Sequence, residues 1–399
     1  MEVVEERDVV IVGGGICGLA TALALHRKNV RSVVLEKSEI LRATGASINI
    51  RRNGWQALEQ LGIASRLRST TVPLLAQRVV RLDTGLERRI PFSGETRCLK
   101  RGDLINAIAN DLPHGTIRFG SKVLSIKLDL HTSFPILHLE DGSFIKAKVV
   151  IGCEGVNSAI ADFLELKPTK IFPAGMVRGF SDYPDCHSFS HEIVITRKGD
   201  VSIGIVPVSD KLMSWFVFWH WRKGMKILKD ANLMRQSTLE LLEGFPAELV
   251  EIIKKSNRDS IFAGRLRYRA PWHLLSGNFR KGTVTVAGDA MHAMGPFLGQ
   301  GGSAGLEDAI VLARCLHRKL IGFDLSCSPS QTIMQKVGES FDEYVRERWM
   351  RVVMLSLQSY LTGFPLGNSS MLGKLLCIIF MAIFFRDLSR HTRYDCGRL

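Results

Sequence analysis

The run Asp8-Val9-Val10-Ile11-Val12-Gly13-Gly14-Gly15-Ile16-Cys17-Gly18 decides the fold. Its first five residues are a short, mostly β-branched apolar stretch, the pattern of a strand buried on both faces. The glycines follow at once, and Leu19 to Lys28, rich in Ala and Leu, reads as a helix. A second strand is expected at Ser32–Glu36. Strand, glycine loop, helix and strand within about 30 residues form a βαβ unit, so the first two strands should be parallel.

The hexapeptide Gly13 to Gly18 fits G-x-G-x-x-G. Gly13 permits the tight turn, Gly15 lets the backbone approach a pyrophosphate, and Gly18 lets helix and strand pack closely. The helix start then offers free N–H groups and a partial positive charge to phosphates. Glu36 lies 23 residues after Gly13, at the end of the second strand, where an acid receives ribose hydroxyls. That acid disfavours a 2′-phosphate, so the nucleotide held here is expected to be FAD or NAD rather than NADP.

Further along, Asn53–Leu61 reads as a helix stopped by Gly62, and Leu99–Leu112 as another that ends before Pro113. Ile136–Leu139 and Phe144–Ile151 flank Asp141-Gly142, a hairpin signal. From about Pro168 the character changes to short strands: Met176–Phe180, Glu192–Thr196, Val201–Pro207 and Met213–Trp221. A helical stretch, Leu233–Lys254, follows. Thr283–Ala287 returns to a buried-strand pattern, and a second glycine loop, Gly295–Gly305, leads into a helix that runs to Leu320. The fold class is therefore α/β: a Rossmann-like FAD-binding domain with a parallel sheet, an inserted mostly-β substrate domain and C-terminal helices. The expected boundaries are 1–167 for the first FAD-binding part, with an excursion into the substrate lobe around 70–100. The mostly-β domain covers 168–270, the second FAD-binding part 271–330, and a C-terminal helical region 331–399.

The second glycine region separates FAD from NAD. Gly288-Asp289 ends a strand, and Pro296-Phe297-Leu298-Gly299-Gln300-Gly301-Gly302 opens a helix. A nicotinamide dehydrogenase has no use for this segment. A flavin does: Asp289 can accept from a ribityl hydroxyl. The N–H groups of Gly299 to Gly302 can stabilise charge on the reduced ring.

These residues resemble the single-component FAD monooxygenases of the aromatic-hydroxylase type, a family that includes salicylate and 3-hydroxybenzoate hydroxylases and zeaxanthin epoxidase. The likeness runs from Asp8 to about Leu320, and the chain as a whole looks like the plant salicylate-hydroxylase-like branch. Three family signatures match: Gly13/Gly15/Gly18, Gly288-Asp289, and the frame Gly152-Cys153-Glu154-Gly155-Val156-Asn157-Ser158, where the family's usual Asp is Glu154. The resemblance implies that Glu154 and Gly155 serve FAD and the nicotinamide, that Arg101 in its R-x-x-L setting contacts FAD, and that Arg51, where the flavin-proximal loop enters a helix, is a further FAD contact. It implies a cycle in which NADH or NADPH visits transiently to reduce FAD. Oxygen then adds to the reduced ring as a C4a-hydroperoxide, and one oxygen atom passes to a small aromatic or isoprenoid substrate. That hydroperoxide collapses to hydrogen peroxide if water reaches it. Pro296 is expected against the ring edge, and His220 is a candidate base for a phenolic proton or else a structural histidine. The aromatic strand Trp215–Trp221 presents Trp215, Val217, Trp219 and Trp221 on one face and Phe216, Phe218 and His220 on the other; either face could line the substrate cavity. Two rival readings remain: an FAD reductase or dehydrogenase that does not oxygenate, and a non-catalytic flavin-binding protein.

Net charge is +14, but the basic residues are scattered rather than grouped, which argues against a nucleic-acid partner. Eight cysteines without a C-x-x-C pair argue against zinc or any other metal site and fit a reducing, cytoplasmic compartment. The short acidic start, Met1–Arg7, leaves no room for a signal peptide. The apolar run Leu375–Phe385 is too short to span a bilayer alone, which needs about 20 residues. A buried C-terminal helix is expected there, with peripheral membrane contact as the alternative.

Overall fold

The computed structural model describes residues 4–41, 47–221, 230–367, 371–385, 387 and 389–399. The opening residues 1–3 of the acidic N-terminal stretch lie outside them.

Val4–Val12 lies at the middle of an eight-stranded sheet. It pairs in parallel with Val33–Leu35 on one side and Phe144–Gly152 on the other. Phe144–Gly152 in turn pairs in parallel with Val284–Val286, so the strand that precedes Gly288 enters the same sheet as the strand that precedes Gly13. Val9 to Val12 are all buried, because helices cover the sheet. The helices Ile16–Arg27 and Gly301–Leu320, one after each glycine loop, pack against each other. The Asp141-Gly142 turn closes the expected hairpin, with Gly142 at φ +83° and Phe144 opposite His138.

The second sheet has seven strands in the order Phe262–Tyr268, Lys170–Asp182, Leu212–His220, Val201–Ser209, Glu192–Lys198, Ala76–Arg81 and Leu86–Pro91. All neighbours are antiparallel except Glu192–Lys198 with Ala76–Arg81. One face carries Met213, Trp215 and Val217 and is backed by Leu249, Ile252 and Ile253 of a helix. The other carries Phe180, Phe216 and Phe218 and looks towards Phe297 of the second glycine loop. The aromatic strand thus has a packed core side, that of Trp215, and a side turned to the first sheet, that of Phe216. Phe216 lies close over Gly204, where a Cβ would stand 2.1 Å from its ring.

Three expected elements differ. The stretch read as a helix from Leu99 begins as a strand, Arg97–Lys100, which pairs antiparallel with Ser47–Ile50; the helix is Arg101–Ala109. Backbone pairing with a strand distant in the sequence overrides the local helical pattern. The stretch 233–254 is two helices, Ala231–Leu241 and Ala247–Lys254, because Gly244 takes φ +74° and Pro246 caps the second. Third, the apolar C-terminal run is a helix, Met371–Phe384, but it is not a buried one. Cys377 packs inward against Leu361 of the long helix Ser330–Gly367. Leu372, Leu375, Leu376, Ile378, Ile379, Ile383 and Phe384 are exposed. A helix that is apolar on all sides buries only the side its neighbour covers.

Candidate functional site

The three sequence motifs meet at one cleft of about 590 Å³. Gly13, Gly15, Glu36, Arg101, Glu154, Gly155, Gly288, Asp289, Gly301 and Gly302 all line it. Gly13 has φ +104°, and a Cβ there would stand 2.6 Å from the Cys153 carbonyl oxygen. The first loop therefore lies directly on the peptide that precedes Glu154. Gly18 packs beneath, where a Cβ would come within 2.0 Å of the Gly13 carbonyl oxygen. At Gly15 and Gly155 a Cβ would meet nothing within 4 Å, so their backbone faces open space in the cleft. These are the places where a dinucleotide's backbone needs room.

Glu36 is buried, accepting from Gly14 N–H at 2.7 Å and from Ser38 N–H at 2.9 Å. Its carboxylate is held at the end of the second strand, beside the first loop. Asp289 lies at the other end of the cleft. Protein atoms surround its carboxyl and raise its pKa, yet the side chain keeps accessible surface because it faces the open cleft. Arg101, the first residue of its helix, contributes the cation of this region and lies close enough to Arg178 of the second sheet to lower that residue's pKa after burial has done so. Arg178 and Phe262 line the cleft from the second sheet, and the sequence reading did not single them out.

Glu154 folds back on its own segment. It accepts from Ser158 Oγ at 2.6 Å and from Ile160 N–H at 3.3 Å, and burial pushes its pKa up to about 7. The extra methylene relative to Asp is taken up in this local cap. Beneath the loops, the Sγ atoms of Cys17 and Cys153 lie 3.9 Å apart, and all eight cysteines are free thiols. The hydrogen bond to Cys153 and then burial raise the Cys17 pKa well above the ordinary thiol value.

Behind the cleft lies a charge network that the sequence reading missed. Asp308 accepts from Gly288 N–H at 2.8 Å and from His292 Nε2 at 2.6 Å, and Arg348 Nε donates to its other oxygen at 2.7 Å. Arg348 also pairs with Glu307 at 2.7 Å, and Asn53 Nδ2 donates to Glu307 at 2.5 Å. His292, Glu307, Asp308 and Arg348 are all fully buried. His292 and Arg348 hold the Asp308 carboxyl far below the usual carboxylate range against the opposing effect of burial. The one sequence signal was a Glu-Asp pair within an apolar helical run.

Six singled-out residues stand away from the cleft lining. Gly18 supports it from below. The Gln300 side chain is fully buried and accepts from Asn53 Nδ2 at 2.8 Å, so it anchors the loop from behind. Pro296 opens the turn Pro296–Leu298, and Gly299, at φ +61°, ends it beside Asn49. His220 closes its strand opposite Ala174 and is partly exposed. Arg51 does not reach the cleft, because its guanidinium lies 4.6 Å over the ring of Phe92.

The residues fit FAD. The ADP half needs a glycine turn at a helix start and an acid on the second strand, and finds Gly13–Gly18 and Glu36. The flavin half needs a ribityl acceptor and N–H donors near the ring, and finds Asp289 and the helix that starts at Gly301. Ser303 Oγ and Asn49 Oδ1, both beside this second loop, are buried with no hydrogen-bond partner.

The FAD binding domain family matches residues 6–323. "Monooxygenase 1" of Arabidopsis thaliana is 48% identical over 402 residues, covering 99% of this chain and 100% of that protein. "Monooxygenase 2" of the same plant is 33% identical, covering 98% of each. Among solved structures, Klebsiella pneumoniae HpxO bound to FAD and uric acid shares the fold at TM-score 0.78 and 18% identity, over 97% of this chain and 96% of that one.

Proposed function

Since this chain belongs to the FAD binding domain family and is an FAD-dependent monooxygenase, we propose that its cleft holds FAD with the adenosine at Glu36 and the ring at the second glycine loop. Bound FAD supplies the redox chemistry: it takes two electrons from NAD(P)H and passes them to O₂, so that one oxygen atom enters a small aromatic or isoprenoid substrate and the other leaves as water. The protein's own groups position and shield. The N–H groups of Gly13 to Gly15 receive the pyrophosphate, and Arg101 adds a cation beside it. Asp289 accepts from the ribityl chain, and the N–H groups from Gly299 to Gly302 face the pyrimidine edge of the ring. Pro296 and Phe297 form the rim of the ring site. The Phe216/Phe218 face walls the substrate off from water, since Phe218 packs on Phe297 at 5.7 Å between ring centroids. His220, on that same face, is the candidate base for a phenolic substrate. Glu154 acts on the reductant side through the segment that it caps.

The observation that carries this reading is the convergence of Gly13, Glu154 and Asp289 on one cleft, although they are far apart in sequence. The test is a screen for substrate-stimulated NAD(P)H oxidation under ¹⁸O₂, with the purified yellow holoprotein. One labelled oxygen in the product is expected. Substrate reduction without label would mean a reductase, and a protein that keeps FAD but never consumes NAD(P)H would mean a binding protein.

A second reading concerns location. Among the described residues, no helix is long and apolar enough to cross a membrane. The exposed side chains of Met371–Phe384 nevertheless form an apolar surface, and the chain carries a charge of +14. The proposed setting is a cytoplasmic enzyme that touches a membrane peripherally through this helix. The protein should sediment with vesicles of mixed neutral and anionic lipid, and I379D and F384D together should abolish this. Binding unchanged by the double variant would rule the helix out.

A further inference from the structure

Strand alternation divides the flavin-proximal segment into two sides. Ile48 points at Gly302, where a Cβ would stand 2.3 Å from it, and Ile50 is buried against Gly54. Asn49 and Arg51 point the other way. Asn49 lies beside Gly299, while Arg51 stacks over Phe92. Phe92 and Phe216 pack on one apolar cluster with Phe180, Ile193 and Val206. Phe216 continues to Phe218 at 5.1 Å, and Phe218 to Phe297 at 5.7 Å. Ser214 Oγ, on the same sheet face, donates to Ser47 Oγ at 2.5 Å and ties the two elements together. Through this cluster an apolar wall joins Phe92, beneath the Arg51 guanidinium, to Phe216, Phe218 and the turn at Pro296–Leu298.

Arg51 is out of keeping with that wall. Among the described residues, its Nε is enclosed with no hydrogen-bond partner and the side chain makes no ion pair. Burial lowers its pKa to about 10, so at neutral pH it remains a cation. A buried charge without a counter-ion is unfavourable, and proteins keep one where something else supplies the partner. Arg348, by contrast, is buried against two carboxylates, those of Glu307 and Asp308. The Phe216 face also carries Arg178, directly opposite Phe216, and Arg197, whose Nε is likewise enclosed without a partner. Arg51, Arg178 and Arg197 thus set three cations about this wall, and among the described residues none of the three makes an ion pair.

Resting on the monooxygenase reading, we propose that Arg51 is the specificity residue of the substrate site and binds a carboxylate on a flat aromatic substrate whose ring lies along Phe92, Phe216 and Phe218. The missing counter-ion arrives with the substrate. This moves Arg51 from the cofactor to the substrate, and it selects aromatic acids over neutral isoprenoids. The guanidinium suits the role, since its planar fork takes a carboxylate through two parallel hydrogen bonds.

The test uses holoprotein and matched probes that differ only in charge: salicylate against salicylamide, and 3-hydroxybenzoate against 3-hydroxybenzamide. Binding is read from the change each causes in the bound flavin's absorption spectrum, so no turnover is needed. Wild type should bind each acid more tightly than its amide. R51Q should weaken the acids roughly 10- to 100-fold and leave the amides within about twofold. R51K should fall between, keeping the charge but losing the fork. FAD content should be the same in all three proteins. Equal binding of acids and amides by wild type would overturn the proposal, as would a wild type that binds none of the probes. Loss of FAD in R51Q would overturn it in favour of a cofactor role. A wild type that takes up no FAD would instead sink the monooxygenase reading beneath it.

Discussion

Replacing Arg348 with methionine is expected to destabilise the folded protein by about 3–5 kcal/mol and to weaken FAD retention at the same time. Methionine fills much of the volume, so the loss is electrostatic. Glu307 and Asp308 would be left with two negative charges at full burial. Arg351, at 2.8 Å from Glu307, offsets one of them in part; Asp308 keeps His292 and the Gly288 N–H. The cofactor effect follows because Asp308 holds the Gly288 N–H and so fixes the turn that presents Asp289. Acid should act in the same direction. The Asp308 carboxyl titrates far below its unfolded value, so its contribution is present above about pH 4 and is lost as pH falls further. Urea titration of wild type and R348M at neutral pH measures the difference. A shift under 1 kcal/mol would show that the network is relaxed by water or by rearrangement.

The second large effect is at the first glycine turn, where two neighbouring substitutions should fail in different ways. G13A places a methyl group 2.6 Å from the Cys153 carbonyl oxygen and 2.8 Å from the Glu154 Cα, at φ +104°. The obstacles are backbone atoms of a central sheet strand and its extension, which cannot swing aside. A cost of about 2–4 kcal/mol in the apoprotein is expected, with complete loss of bound FAD. G15A meets nothing within 4 Å and has φ −82°, so the apoprotein should unfold at the wild-type temperature. Its methyl group projects where the pyrophosphate has to approach, so FAD should be lost without any loss of fold. Thermal unfolding of the apoproteins, set beside flavin absorbance near 450 nm, separates the two. Equal unfolding temperatures for G13A and wild type would mean that the loop is slack.

The sequence was informative where the chemistry is contiguous. Gly13 to Gly18, Gly152 to Ser158 and Gly288 to Gly302 each carry their function in a short span, and each lies at the cleft or directly beneath it. It was uninformative where function depends on partners far apart. Arg348 lies 40 residues beyond Asp308 on another helix, and nothing local to either marks the pair. For Gln300 and Arg51 the limit is subtler. Both sit in the right loops, but which way a side chain points depends on strand alternation and on the buried Asn53, and neither shows in a motif. The C-terminal helix shows the same limit from the packing side. Composition reveals that residues 375–385 are apolar, but not how much of their surface another helix covers.

The paired thiols under the glycine loops bear on how the enzyme survives its own by-product. Turnover that fails to oxygenate releases peroxide into the cleft, within reach of Cys17 and Cys153. Peroxide attacks the thiolate, and the raised pKa of Cys17 leaves almost none at neutral pH. Exposed Cys186 and Cys327 stand as the ready targets instead. Futile cycling would thus scar the outside of the molecule while Cys17, at the nucleotide seat, stays reduced.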